Sequence, residues 1–261
     1  MTGELDGGAA PISALDLQRL AARGWPGTRT GWVGGWLLRA GGGWTWRANS
    51  AVPFHEPRRG LDAMLERVTK WYARDKLSPM VQVPLPARTR LREQLVDRGW
   101  TDHWGAATLT ADIAAVLATV RRPRDLPPVT LADAPDPQWL ATYRYRGGAL
   151  PDVAPDVLCA GRHPQFLSVV EDGTTVGICR IAVDGDWVGI TAVEVSAAHR
   201  RRGLATHLLV AGLDLARAGG ARYAYLQMEH SNVAARTLYT RAGFAFHHEY
   251  RYHGPAPEQS R

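Results

Sequence analysis

The stretch "VEVSAAHRRRGLATHLL", Val193 to Leu209, sets an alternating apolar run, three consecutive arginines, a glycine and a helical apolar pattern in immediate succession. Alternation at Val193 and Val195 predicts a strand, and the spacing of Leu204, Leu208 and Leu209 predicts a helix that starts near Gly203. A helix N-terminus leaves its first amides without partners and carries partial positive charge. Gly203 allows close backbone approach there, and Arg200, Arg201 and Arg202 add full charges at the rim. The turn is therefore a seat for an anion such as a pyrophosphate. The preceding strand can present its backbone to the rest of an elongated ligand, as a sheet edge does to an added chain.

Working outward, the flanking segments alternate in the same way. "PVTLADA" predicts a strand followed by two short helices, "FLSVVED" and "TTVGICRIAV" a hairpin, and "WVGITAVEVS" a longer strand. The helix from Gly203 ends at Ala218, where Gly219 and Gly220 stop it. Then come the strand "RYAYLQM", a helix from Asn232 to Arg241 and the strand "FAFHHEYRYH".

Upstream, "RRPRDLPPV", Arg121 to Val129, interrupts both periodicities and marks a linker over 123–129 between segments 1–122 and 130–261. The first half predicts a helix over Ile12–Arg23, strands in "GWLLRA" and "TWRANSAVPF" around the Gly41–Gly43 turn, and a helix over Leu61–Arg74. A strand in "PMVQVPL", a helix over Arg88–Arg98 and a strand after Trp100 complete it. "LVDRGW", Leu95 to Trp100, echoes "YTRAGF", Tyr239 to Phe244, and Gln82 sits in its strand much as Gln227 does, which points to an internal duplication. Eight of the ten tryptophans precede the linker, a density that suits a packed core or a broad apolar cleft.

With 45% hydrophobic residues the chain can bury a sizeable core. The net charge of +6 is almost wholly arginine, since Lys70 and Lys76 are the only lysines; this suits a phosphate-bearing partner, because guanidinium matches phosphate geometry. Two cysteines make no disulfide framework, and no apolar run reaches the roughly 18 residues of a membrane span. "MTGELDGGAAPIS" lacks a secretory pattern, so a cytoplasmic protein without membrane partners is expected. His247 and His248 are adjacent on a strand and point opposite ways, so no metal site is expected there.

These residues resemble the GNAT superfamily of acyl-CoA-dependent N-acyltransferases. Its phosphate signature is matched by Arg200, Gly203 and Ala205, and its second signature by Asn232, Ala235, Tyr239, Gly243 and Phe244 in "NVAARTLYTRAGF". The whole resembles a tandem GNAT protein of actinobacterial type with a degenerate first copy, because the first half carries no Arg-x-x-Gly-x-Ala and has Leu95 where Tyr239 would stand. The implied fold is α/β (α+β), two GNAT-like domains, each a mixed, mostly antiparallel sheet flanked by helices.

The resemblance further implies acetyl-CoA as co-substrate, no metal, and an amine of a small molecule or peptide as acceptor. The CoA pyrophosphate is expected on the amides of Arg201, Arg202, Gly203, Leu204, Ala205 and Thr206, with pantetheine beside Val193 and Val195 and bonded by Asn232, ahead of Ala235. Tyr239 is expected to protonate the leaving thiolate. For the base, Glu194 is the nearest carboxylate, although alternation points it away from Val193 and Val195; Glu229 and His230 follow the next strand, and Gln227 stands where some members carry a glutamate. "YRYRGG", Tyr143 to Gly148, falls where such proteins have substrate-gating helices. An aminoacyl-tRNA-dependent transferase and a silent acyl-CoA-binding protein are the competing readings; the basic charge permits the first and the tyrosine disfavours the second.

Overall fold

The computed structural model describes residues 12–58 and 60–256. Met1–Pro11, read above for a leader pattern, lies outside the described residues. In chain order the elements are α1 (Ala14–Gly24), β1 (Arg29–Val33), β2 (Trp36–Ala40), β3 (Val52–Pro53), α2 (Leu61–Ala73), β4 (Val81–Leu85), α3 (Thr89–Val96), β5 (Trp100–Asp112) and α4 (Ile113–Thr119). There follow β6 (Val129–Ala132), α5 (Pro137–Thr142), α6 (Ala154–Cys159), β7 (Pro164–Glu171), β8 (Thr174–Asp184) and β9 (Trp187–Val195), then α7 (Leu204–Ala218), β10 (Tyr223–Glu229), α8 (Val233–Arg241) and β11 (Ala245–Pro255). The result is a mixed α/β fold of mostly antiparallel strands flanked by helices.

Contacts group the described residues into two units, one drawn from 14–107, 151–161 and 248–256 and the other from 12–13, 108–150 and 162–247. In the first, β1, β2 and β3 form an antiparallel sheet, and β11 pairs antiparallel with β4 from Glu249 opposite Leu85 to His253 opposite Val81. Its core gathers Trp36, Leu38, Val68, Tyr72, Val81, Val83, Leu91 and Leu95. Gly31 keeps β1 against α2, since a Cβ there would meet the Trp71 indole nitrogen at 2.7 Å; this glycine-broken strand has no alternation to reveal it.

The strand expected over "TWRANSAVPF" is instead a 3-10 turn at Trp46–Ala48 with only Val52–Pro53 in a strand. Asn49 is the physical reason. Its side-chain oxygen accepts from the amides of Gly41 (2.8 Å) and Gly43 (3.0 Å) while its amide donates to the carbonyls of Trp44 and Thr45, so local side-chain bonds replace ladder bonds. The tryptophans mostly pack: Trp25, Trp36 and Trp44 are buried, Trp46 stacks on Trp104 at 4.8 Å, and Trp32 is 59% exposed.

Asp102 on β5 ties three elements of this unit, accepting from Arg92 of α3 (3.0 and 2.7 Å) and Arg251 of β11 (2.6 Å). Burial works to raise its pKa, but the bonds from Arg251 and Arg92 outweigh it and hold the carboxyl below the ordinary range. A depressed folded-state pKa gives stability that is present above the unfolded value and lost as pH falls through the folded one. Asp102→Asn is therefore expected to cost about 1–3 kcal/mol at neutral pH, with the gap to wild type closing as pH drops below about 4. Urea unfolding at both pH values checks this.

In the second unit the strand order is β5, β10, β9, β8, β7, β6; β6 to β9 pair antiparallel and β9 with β10 parallel. α5 and α7 cover opposite faces. The Trp139 ring of α5 meets Phe166 edge-on at 5.2 Å, whereas Gly212 of α7 lies over Ile181 and Leu167; Phe166 and Leu167 are neighbours on β7 and so face opposite ways. α7 buries Leu204, Leu208, Leu209, Val210 and Leu213, the face its periodicity predicts.

Candidate active site

Strand β9 carries an irregularity that the alternating sequence does not announce. Thr191 lies opposite Arg180 and Glu194 opposite Ile178, so Ala192 and Val193 together face Cys179, a β-bulge with Ala192 at φ +50°. Pairing with β10 runs from Trp187 opposite Tyr223 to Ile190 opposite Leu226 and ends there. Beyond it the backbone of 191–195 has no ladder partner on the β10 side among the described residues, leaving an open strand edge before the basic turn.

That turn is held from one side. Glu171, at the end of β7, takes both Arg202 terminal nitrogens at 2.7 Å and lies 3.4 Å from His199 Nε2, while Ser196 Oγ meets His199 Nδ1 at 2.7 Å. The Arg202 partnership holds Glu171 below the ordinary carboxylate range. Arg200 donates from Nε to the Val195 carbonyl (3.1 Å) and stands 3.5 Å from Glu194. Arg201, at φ +66°, is exposed and makes no ion pair among the described residues. Gly203 caps α7 at φ +88°, a conformation that suits glycine, and Leu204 turns into the core while Ala205 and Thr206 stay half-buried. Of the three arginines at the predicted anion seat, two are thus engaged by the protein and Arg201 is free for a ligand.

Asn232 is exposed and caps α8, its Oδ1 accepting from Ala235 N at 3.0 Å. From that cap α8 carries Tyr239 into the interior, where it is 7% exposed and packs edge-on to Phe244 at 5.7 Å. Its hydroxyl makes no hydrogen bond among the described residues. Burial, with the neighbouring Cys179 thiol adding to it, pushes the phenol well above its ordinary pKa and keeps it protonated at neutral pH. Cys179 stands opposite the bulge of β9, so Tyr239 and the bulge converge on one residue of β8. Burial raises the Cys179 thiol to about 12, which leaves it no thiolate character at neutral pH.

Glu194 lines a cavity of about 750 Å³ together with Gln138, Arg144, Thr175, Ser196 and Arg200. Burial raises its pKa, opposed in part by the charge of Arg200, by the backbone N–H of Arg144, which donates to the carboxylate, and by the charge of Arg144. A carboxylate held above its usual range is suited to taking a proton near neutral pH. Val195 also lines this cavity, so at the strand end the two neighbours are not segregated by strict alternation. Gln227, which stands where some members carry a glutamate, donates weakly to Thr108 (3.4 Å), and the carbonyl of His230, another base candidate, accepts from Arg236. Glu171 and Cys179 were not singled out from the sequence; neither sits in a motif, and only the fold brings them to the turn and to Tyr239.

His247 bonds the Ile12 carbonyl at 2.9 Å and His248 is buried near Gln18. Among the described residues no group of three or more His, Cys, Asp or Glu could hold a metal ion, and no helix is long and apolar enough to cross a membrane.

The arrangement fits acetyl-CoA by its donor set: the start of a helix capped by a left-handed glycine, an unengaged guanidinium beside it, and an unpaired strand edge leading to a buried phenol. Comparison with known proteins agrees with this chemistry. The family described as "Probable histone acetyltransferase Rv0428c C-terminal" matches residues 12–253. The chain is similar to the probable histone acetyltransferase Rv0428c of Mycobacterium tuberculosis, 32% identical over 249 residues, covering 90% of this chain and 72% of that protein. In fold it is similar to the GCN5-related N-acetyltransferase from Kribbella flavida (TM-score 0.72, 19% identity, 95% of this chain and 97% of that one). It is also similar to the tandem GNAT protein from the clavulanic acid biosynthesis pathway (TM-score 0.61, 15% identity, 96% and 91%).

Proposed function

Because this chain belongs to the Rv0428c C-terminal acetyltransferase family, within the GNAT acetyltransferases, we propose that it transfers an acetyl group from acetyl-CoA directly to a primary amine of a small molecule or peptide. The observation that carries this reading is the largely buried Tyr239 beside the bulge of an open strand, its hydroxyl without a hydrogen-bond partner among the described residues and its pKa raised by burial.

Acetyl-CoA supplies an activated acyl carbon bonded to sulfur. The amides from Arg201 to Thr206 and the Arg201 guanidinium would hold its pyrophosphate, the backbone of Val193 and Val195 would align its pantetheine arm, and Asn232 would bond that arm from the start of α8. An amide of the open strand can also stabilise negative charge that develops on the acyl oxygen. Glu194 accepts the amine proton as the nitrogen–carbon bond forms. Tyr239 gives its proton to the sulfur as the carbon–sulfur bond breaks. With Cys179 buried and its thiol raised to about 12, a direct transfer without an acyl-enzyme is the consistent route.

Residues 1–122 read best as a degenerate copy of the same fold, joined through 123–129 to the working copy over 130–261. The β4–α3 and β10–α8 segments support this, each followed by a left-handed glycine and an aromatic, Gly99–Trp100 and Gly243–Phe244.

The test is release of free thiol from acetyl-CoA across polyamines, amino acids, aminoglycosides and basic peptides. Amine-dependent release supports transfer; tight CoA binding with no release for any amine contradicts it. Arg201→Ala is expected to raise the Kd for CoA about tenfold while leaving phosphate-free pantetheine unaffected. Calorimetry that finds both ligands equally weakened would contradict the pyrophosphate seat.

A further inference from the structure

We propose that the acceptor carries an anionic group, a carboxylate or phosphate, within a few bonds of its reacting amine, and that Arg144 reads that group. The cavity beside Glu194 holds one carboxylate and two guanidiniums, Arg144 and Arg200, among otherwise neutral lining residues. Arg200 is already engaged with the Val195 carbonyl and Glu194. The Arg144 guanidinium makes no ion pair among the described residues; its charge acts on Glu194 without an ion-pair contact, which makes it the less committed of the two cations.

The backbone of Arg144 is held by its neighbours, while its side chain is exposed. Tyr143 is buried and packs on Trp139 at 5.7 Å, a 3-10 turn follows at Tyr145–Gly147, and the Arg144 N–H donates to Glu194. One residue thereby holds the carboxylate with its backbone and offers a cation with its side chain. An ammonium at Glu194 and an anion at Arg144 can be bound together, and guanidinium pairs with carboxylate or phosphate through two parallel hydrogen bonds. A lysine-rich peptide is poorly matched: one carboxylate accommodates one ammonium, and the two arginines repel further positive charge.

The inference rests on reading this cavity as the acceptor side of an acyltransferase. Its test measures binding, so that failure of transfer alone strikes that reading and not this one. Calorimetric titrations of the full chain saturated with CoA compare 4-aminobutyrate with n-butylamine, O-phosphoethanolamine with ethanolamine, and a lysine-rich peptide. The member of at least one pair that carries the carboxylate or phosphate is expected to bind about tenfold more tightly than the partner that lacks it, and more tightly than the peptide. The pair with the larger gap identifies carboxylate or phosphate. Arg144→Ala should erase the gap, Arg144→Lys should keep part of it, and both should leave the Kd for CoA within about twofold. Absence of a gap in both pairs, whether the amines bind or not, overturns the proposal. So does an Arg144→Ala variant that weakens CoA as much as the acceptor, which would assign the guanidinium to a CoA phosphate.

Discussion

Tyr239→Phe is expected to lower kcat by about 10²- to 10³-fold while leaving the Kd for acetyl-CoA and the unfolding midpoint nearly unchanged. The change removes one oxygen and keeps the ring that packs against Phe244. A buried tyrosine hydroxyl ordinarily finds a partner within the protein, and its loss then costs stability. This one has no such partner among the described residues, so its removal breaks no internal hydrogen bond. The raised phenol pKa means the acid form persists through neutral pH and well above it, so wild-type kcat should show no loss from Tyr239 ionisation on the alkaline side below about pH 10. A fall in stability with kcat unchanged would make Tyr239 a packing residue instead.

Glu194→Gln is expected to lower kcat/KM by about 10²-fold and to abolish the acid limb of its pH profile. Burial lifts the Glu194 pKa, so the base form is present above a value higher than that of a free carboxylate, and activity falls as pH drops through it. Because Arg200 opposes the rise, Arg200→Ala should move the limb further toward neutral. Persistence of an unshifted acid limb in Glu194→Gln would place the base elsewhere, with Glu229 at the end of β10 and His230 after it as the remaining candidates.

Local patterns made much of this site legible. The strand, turn and helix around Gly203 follow from the alternation of Val193 and Val195, the glycine and the leucine spacing, and α8 follows from its Asn232 cap. Other features lay beyond such patterns. A bulge depends on the register between β8 and β9, and nothing in "ITAVEVS" declares that Ala192 takes a left-handed φ. The commitment of Arg202 to Glu171 spans two elements distant in sequence, so three identical arginines look equivalent until the fold separates them. In the first half, Gly31 interrupts the apolar pattern of β1 but not the strand itself, and the helix α4 follows directly on β5 through its Asp112 cap, so local pattern frames neither. Strands β5 and β11 each pass from one compact unit into the other, a partition set by long-range pairing and not by local composition.

The central claim is transfer of an acyl group to an amine nitrogen. It is tested most directly by incubating the protein with acetyl-CoA carrying carbon-13 in the acetyl group and an acceptor amine, then weighing the amine by mass spectrometry. The account predicts a labelled amide that forms with the wild-type chain and is nearly lost with Tyr239→Phe. Labelled acetate with an unmodified amine, or amide formed equally by both proteins, would contradict it.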